Sequence, residues 1–176
     1  VLTIPAGVTV VAKTTDDYIV VQRGSKMEAL GTASKPIVFT HSSVLDGTIS
    51  NAATARGLWG GLVILGRAPI NKCSNALRGT AGCEQPVEGS TDAIMGGALP
   101  EDNSGTIRFV RVEHAGYEIF PGNELNGITF GAVGSGTTVD YVQVHNNEDD
   151  CVEFFGGTVN VKHLVCTNAG DDNLDI

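Results

Sequence analysis

From Ile107 onward apolar and polar residues alternate: Phe109, Val110 and Val112 in one stretch, Tyr141, Val142 and Val144 in the next, Leu164 and Cys166 in the last. A period of two puts successive side chains on opposite faces, so these stretches read as strands and not helices. They also repeat. Residues 139–154 align without a gap on residues 161–176, an offset of 22, so that Asn146 meets Asn168, Asp149 meets Asp171 and Asp150 meets Asp172. Residues 107–116 match the first half of this unit and 126–130 the second half, with a short insertion between them. Strands rich in Val, Ile and Thr, recurring at this spacing with Gly, Asn and Asp turns, predict an all-β solenoid whose strands stack in parallel from coil to coil.

In such a stack Val112, Val144 and Cys166 form one inward ladder, Ile128, Val152 and Leu174 a second, and Phe130, Phe154 and Ile176 a third. Burying each such side chain contributes roughly 1.5–3 kcal/mol. Asn146 and Asn168 fall in a turn, where Asn tolerates left-handed backbone angles, and stacking would let their amides bond each other.

The N-terminal half keeps the same grammar less strictly. Residues 2–11, 18–21, 27–32, 36–40 and 62–65 are strand candidates separated by Gly, Pro or Ser, with Pro5-Ala6-Gly7 as a turn. Two stretches break the rhythm, about 41–59 and 66–104. They are expected to be loop insertions on a single domain spanning 1–176, forming a face or lid on one side of the solenoid.

Composition narrows the picture. A net charge of −9 would repel nucleic-acid phosphates, and no apolar run is long enough to span a membrane. Cys73 and Cys83 bracket a polar stretch that a disulfide would staple, contributing on the order of 2–3 kcal/mol and pointing to an oxidising compartment; two free thiols are the alternative. Cys151 and Cys166 lie in apolar strand patterns, as small buried hydrophobes or a second bridge.

Four segments carry a resemblance: Ile4-Pro-Ala-Gly-Val-Thr-Val10, residues 31–40 (Gly-Thr-Ala-Ser-Lys-Pro-Ile-Val-Phe-Thr), residues 57–66 (Gly-Leu-Trp-Gly-Gly-Leu-Val-Ile-Leu-Gly) and residues 149–157 (Asp-Asp-Cys-Val-Glu-Phe-Phe-Gly-Gly). Through them the chain resembles right-handed parallel β-helix proteins of bacterial surfaces, secreted or lipid-anchored and mostly of unassigned function. The resemblance implies a right-handed parallel β-helix and an extracellular or cell-surface location. It is nearly silent about activity, because one scaffold hosts many functions.

The densest chemistry is acidic: Glu148, Asp149, Asp150 and Glu153, then Asp171, Asp172 and Asp175 one coil later. Strands about 4.8 Å apart bring equivalent carboxylates close enough to repel or to share a cation. A hard cation such as calcium takes six to eight oxygens, and Asp149, Glu153, Asp171 and Asp175 are the expected ligands. Solvated or capping acids are the plainer alternative. Paired carboxylates also permit glycoside hydrolysis. The Asp149-Asp150-Cys151-Val152 stretch looks like that of polygalacturonase-type glycoside hydrolases, a likeness that implies catalytic roles for Asp149 and Asp150 with Asp171 or Asp172 as partner. The Gly-His-Gly and Arg-Ile-Lys elements of that pattern do not follow. A lyase would need calcium and a base such as Lys162 or Arg111. His145 aligns with Glu113 and Thr167, giving it a pairing with Glu113 or a simple surface hydrogen bond. Trp59, Tyr117, Phe120, Tyr141 and Phe155 are candidate rings for stacking on sugars, with Trp59, Tyr117 and Tyr141 the chosen ligand-binding set; packing of Trp59 and Phe155 under loops is the alternative.

The expected function is a secreted or cell-surface structural or binding module, with polysaccharide or further copies of itself stacked end to end as partners. A polysaccharide-degrading enzyme is the competing class. The repeat stops at Ile176 within a unit, so the chain is expected to be the N-terminal part of a longer solenoid, with fibre formation as the alternative.

Overall fold

The computed structural model of the chain describes residues 1–88, 90–120 and 123–176, apart from the Phe120 side chain. In chain order the strands are β1 (Leu2–Pro5), β2 (Thr9–Ala12), β3 (Tyr18–Val21), β4 (Met27–Leu30) and β5 (Ile37–His41). A single helical turn, α1 (Ser42–Leu45), precedes β6 (Gly61–Leu65), β7 (Gln85–Pro86), β8 (Ile94–Met95) and β9 (Gly105–Glu113). Then come β10 (Glu118–Phe120), β11 (Asn123–Glu124), β12 (Ile128–Gly131), β13 (Thr138–His145), β14 (Val152–Phe155) and β15 (Asn160–Thr167).

The chain is all-β with two parallel sheets. One runs β1-β4-β9-β13-β15, with β2 and β5 joining it at β9; the other runs β14-β12-β6-β3. The chain alternates between them, so each pass lays its strands on those of the pass before, in the manner of a parallel β-helix. The register is the one the repeat implies: Val144 pairs with Val112 on one side and Cys166 on the other, and Ile128 pairs with Leu62 and Val152. Phe130 pairs with Ile64 and Phe154, the two Phe rings 5.3 Å apart. The inward ladder extends upstream from Val112 to Phe39 and Val10. Phe39, Val112, Val144, Ile128 and Phe130 are all within a buried apolar core between the sheets. The last rungs differ: Leu174 and Ile176 remain exposed, and their segment joins the second sheet at the bridge between Glu153 and Asp175.

The long strands contain a corner that alternation alone does not reveal. The first half of β9 pairs with β4 and its second half with β5, and Phe109 at the junction has φ +49°. Tyr141 (φ +54°) and His163 (φ +50°) repeat this conformation in β13 and β15. Such angles cost a non-glycine residue about 1–2 kcal/mol. Here the kinked residues stack on one another: the Phe109 and Tyr141 rings lie 4.6 Å apart, and Tyr141 and His163 lie 4.1 Å apart, nearly parallel.

A second left-handed ladder follows each long strand, at His114, Asn146 and Asn168. The Asn168 Nδ2 donates to Asn146 Oδ1 at 3.0 Å, the stacked bond the register predicts. The 41–59 insertion is strapped along this ladder. Its Ala52 and Ala53 carbonyls accept from the Asn146 and Asn168 amides, and the His114 ring meets the Ala55 carbonyl at 2.6 Å.

The 66–104 insertion is more than a loop. It contains the small antiparallel β7–β8 ribbon and covers the outer face of the second sheet with Ile70, Cys83, Val87 and Met95. This is why β6 is buried on both faces, Leu62 and Ile64 toward one core, Val63 and Leu65 toward the other. Cys73 and Cys83 are disulfide-bonded, with Cα atoms 5.7 Å apart.

Candidate functional site

The acidic residues sit where the chain leaves the Asn146 turn and enters β14. Buried Asn147 fixes this approach by donating from Nδ2 to the Asp150 carbonyl at 2.7 Å. The next coil locks on from the other side: the Asp172 N–H donates to Asp150 Oδ1 at 2.8 Å, and the Cys151 N–H donates to the Asp172 carbonyl at 3.0 Å. Coil stacking thereby gathers carboxylates that are far apart in sequence.

Two groups form among the described residues, with ligand oxygens within 4.8 Å of one another: Asp149 with Asp150 and Asp171, and Asp150 with Glu153 and Asp175. The expected metal set of Asp149, Glu153, Asp171 and Asp175 is thus split in two, and Asp150, placed only in the expected catalytic set, joins the halves. Asp172 enters through its backbone, and its carboxylate belongs to neither group. Stacking places it one coil beyond Asp150, so its N–H rather than its side chain fills the gap.

Crowding and burial leave their mark on these acids. Burial and the neighbouring Asp150 charge push Asp149 up to about 6. Burial pushes Glu153 up to about 7 against the opposing hydrogen bond from Asn126, and burial raises Asp150 as well. Protonated carboxyls are one answer to such crowding, and a cation is the other.

The donor set fits a hard cation. Every ligand is an oxygen, the chemistry calcium prefers. Asn126 supplies a further observation: it is buried, its Nδ2 donates to Glu153 Oε2 at 2.6 Å and to Thr129 Oγ1 at 3.2 Å, and its Oδ1 has no partner. An orphaned buried acceptor on an amide that already contacts Glu153 is costly for the protein alone.

Glu153 and Asp175 open into a cleft of about 320 Å³, also lined by Ile70, Lys72 and Phe155. Lys72 Nζ lies 4.8 Å above the centre of the Phe155 ring. A cation, an aromatic ring and carboxylates around one hollow are groups that can engage a sugar.

Of the expected sugar-stacking rings Phe155 lines this cleft, whereas Trp59, Tyr117 and Tyr141 do not. Trp59 is 2% exposed, and its Nε1 donates to the Glu113 carbonyl at 2.8 Å, so it packs the 41–59 insertion and presents no face to a ligand. Tyr117 is half-buried, its N–H bonded to the Trp59 carbonyl. Tyr141 is exposed at its edge, both faces being taken by Phe109 and His163. Phe120 lies outside the described side chains.

His145 bonds Thr167 Oγ1 at 2.7 Å, while Glu113 pairs with Arg111 at 2.6 Å, so the simple hydrogen bond holds and the His145–Glu113 pairing does not. Arg111 is engaged in that ion pair on the first sheet, and Lys162 pairs in register with Asp140 there, whereas the carboxylate groups border β14 in the second.

Asn126 and Lys72 were not among the expected site residues, and Phe155 was a candidate ring outside the chosen ligand-binding set. Asn126 had a signal, for the register places it one coil before Asp150. Lys72 had none, because it reaches the cleft from a non-repeating insertion.

The family model for the pectate-lyase-like beta helix domain matches residues 1–176. No curated protein and no solved structure gives a match. The domain points to a polysaccharide-related role. Among the described residues no helix is long and apolar enough to cross a membrane.

Proposed function

The chain belongs to the pectate-lyase-like β-helix domain family, and from this we propose that it is a secreted or cell-surface module of a right-handed β-helix that binds acidic polysaccharide through calcium. Asp150, Glu153 and Asp175 hold the ion with Asn126 Oδ1, and the neighbouring cleft, with Lys72 and Phe155, receives the sugar chain. Domains of this family are commonly extracellular, which agrees with this location, as does the Cys73–Cys83 disulfide. Charge supports the ligand class: a chain of net charge −9 repels a polyanion unless a cation sits between the two sets of carboxylates.

The observation that carries the reading is the position of Asp150, shared by both carboxylate groups, with the Asn126 amide on Glu153 leaving its buried oxygen without a partner. The test is calcium titration by calorimetry, followed by binding to polygalacturonate with calcium or chelator present. Saturable calcium binding that Asp150→Asn removes, together with calcium-dependent retention of the glycan, supports the proposal. Absence of calcium binding, or equal glycan binding in chelator, overturns it.

One observation favours a second reading, a glycan-degrading enzyme. Glu153, pushed up to about 7, holds its proton near neutrality as a general acid must. Release of new reducing ends from polygalacturonate, lost in Glu153→Gln, would move the protein to that class.

A further inference from the structure

Two cysteines are left over by the disulfide in the 66–104 insertion. Cys151 is fully buried and Cys166 half-buried, and both are free thiols. They are 15 positions apart along the chain, yet the coil stacking brings them to one inner corner. Cys151 Sγ lies 3.9 Å from the Val144 carbonyl oxygen, and Val144 is the residue on which Cys166 stacks. One coil on, the roles are exchanged: Cys166, in the Val144 position, has its Sγ 3.1 Å from the carbonyl oxygen of Asn173. The register that places Asp175 beside Glu153 places Asn173 beside Cys151. The two thiols therefore lie at the same inner corner in successive coils, Cys166 stacked on the residue that Cys151 Sγ faces.

We infer that Cys151 and Cys166 form a second disulfide, one that ties successive coils together from inside the β-helix. Exposure sets the order of events: Cys166 is half-buried and is the thiol an oxidant reaches first, while Cys151 is fully buried. With glutathione disulfide as oxidant, the Cys166 thiolate attacks one sulfur, forms a mixed disulfide and expels one glutathione thiolate. Cys151 then gives up its proton and attacks Cys166 Sγ, expelling the second. Two protein thiols lose two electrons and two protons, and one glutathione disulfide becomes two glutathione thiols. A cross-link here adds a covalent tie to coils already joined by strand pairing, apolar packing and side-chain hydrogen bonds.

The experiment is peptide mapping of the whole chain before and after incubation with glutathione disulfide, with alkylation in denaturant and tryptic digestion without reductant. Cleavage after Lys162 separates the two cysteines into peptides 112–162 and 163–176, and cleavage after Arg78 likewise separates Cys73 from Cys83. The expected result is a covalent 112–162/163–176 pair after oxidation, loss of both alkylatable thiols, and a melting midpoint several degrees higher, with the Cys73–Cys83 link intact throughout. The inference is overturned if both thiols remain alkylatable, if glutathione stays on Cys166 without transfer to Cys151, or if the midpoint does not rise. The wild-type map decides without variants. If they fold, Cys151→Ser should trap glutathione on Cys166, and Cys166→Ser should leave Cys151 unmodified.

Discussion

Replacing Glu153 by Gln should stabilise the protein at alkaline pH and do nothing in acid, the reverse of what loss of a favourable carboxylate would do. Burial raises this group from the usual 4.5 to about 7. The folded state then binds more protons than the unfolded chain between those values. The group's contribution to stability is therefore fully present below pH 4.5 and lost as pH rises through 7. Each unit of such a shift corresponds to about 1.4 kcal/mol, giving on the order of 3 kcal/mol before screening. Glu153 is partly open to solvent, which reduces the effect to about 1 kcal/mol. Gln retains an acceptor for Asn126 Nδ2 and cannot ionise, so E153Q escapes the loss. In chelator its urea-unfolding free energy should exceed wild type by about 1 kcal/mol at pH 8, a melting difference of about 2–4 °C, and match it at pH 4. A variant less stable at pH 8, or one offset equally at both pH values, would refute the reasoning.

Calcium should reverse this balance. Saturating ion should raise the wild-type melting midpoint at pH 8 and leave Asp150→Asn unmoved, since about 2.7 kcal/mol accrues at a hundredfold excess over the dissociation constant; calorimetric scans with and without chelator check it. Asn146→Ala should cost about 2–3 kcal/mol by forcing Ala into a left-handed angle and removing bonds to Ala52 and Asn168, whereas Asn146→Gly should cost about 1 kcal/mol less, as measured by urea unfolding. Phe39→Ala, in the middle of the inward ladder, should cost about 3–5 kcal/mol in the same assay.

The family assignment leaves open which of the carboxylates in such a cluster matter. The geometry makes Asp150 central, since it alone belongs to both groups and is held by the backbone of the following coil. Asp171 and Asp175 are exposed and reach the cluster only from that coil. Substituting Asp150 should therefore perturb both groups, whereas Asp171 and Asp175 each touch one.

What the amino-acid order determined by itself was everything that repeats. The 22-residue offset placed Val144 on Cys166 and Asn146 on Asn168, because parallel strands in register pair each residue with its equivalent one coil away, and a periodic chain states that relation along its length. The left-handed corners at Phe109, Tyr141 and His163 were already obscured, since bulky residues at positive φ give no compositional signal and are held by stacking on one another. The cleft was decided by tertiary structure alone. Trp59 disappears beneath an insertion, and Lys72 and Phe155 come together beside Glu153, because the 66–104 segment folds back on the second sheet through contacts between residues that share no period. Periodic pairing can be read from the chain as written, while the docking of a unique segment depends on shape and apolar area that exist only once the sheets have formed.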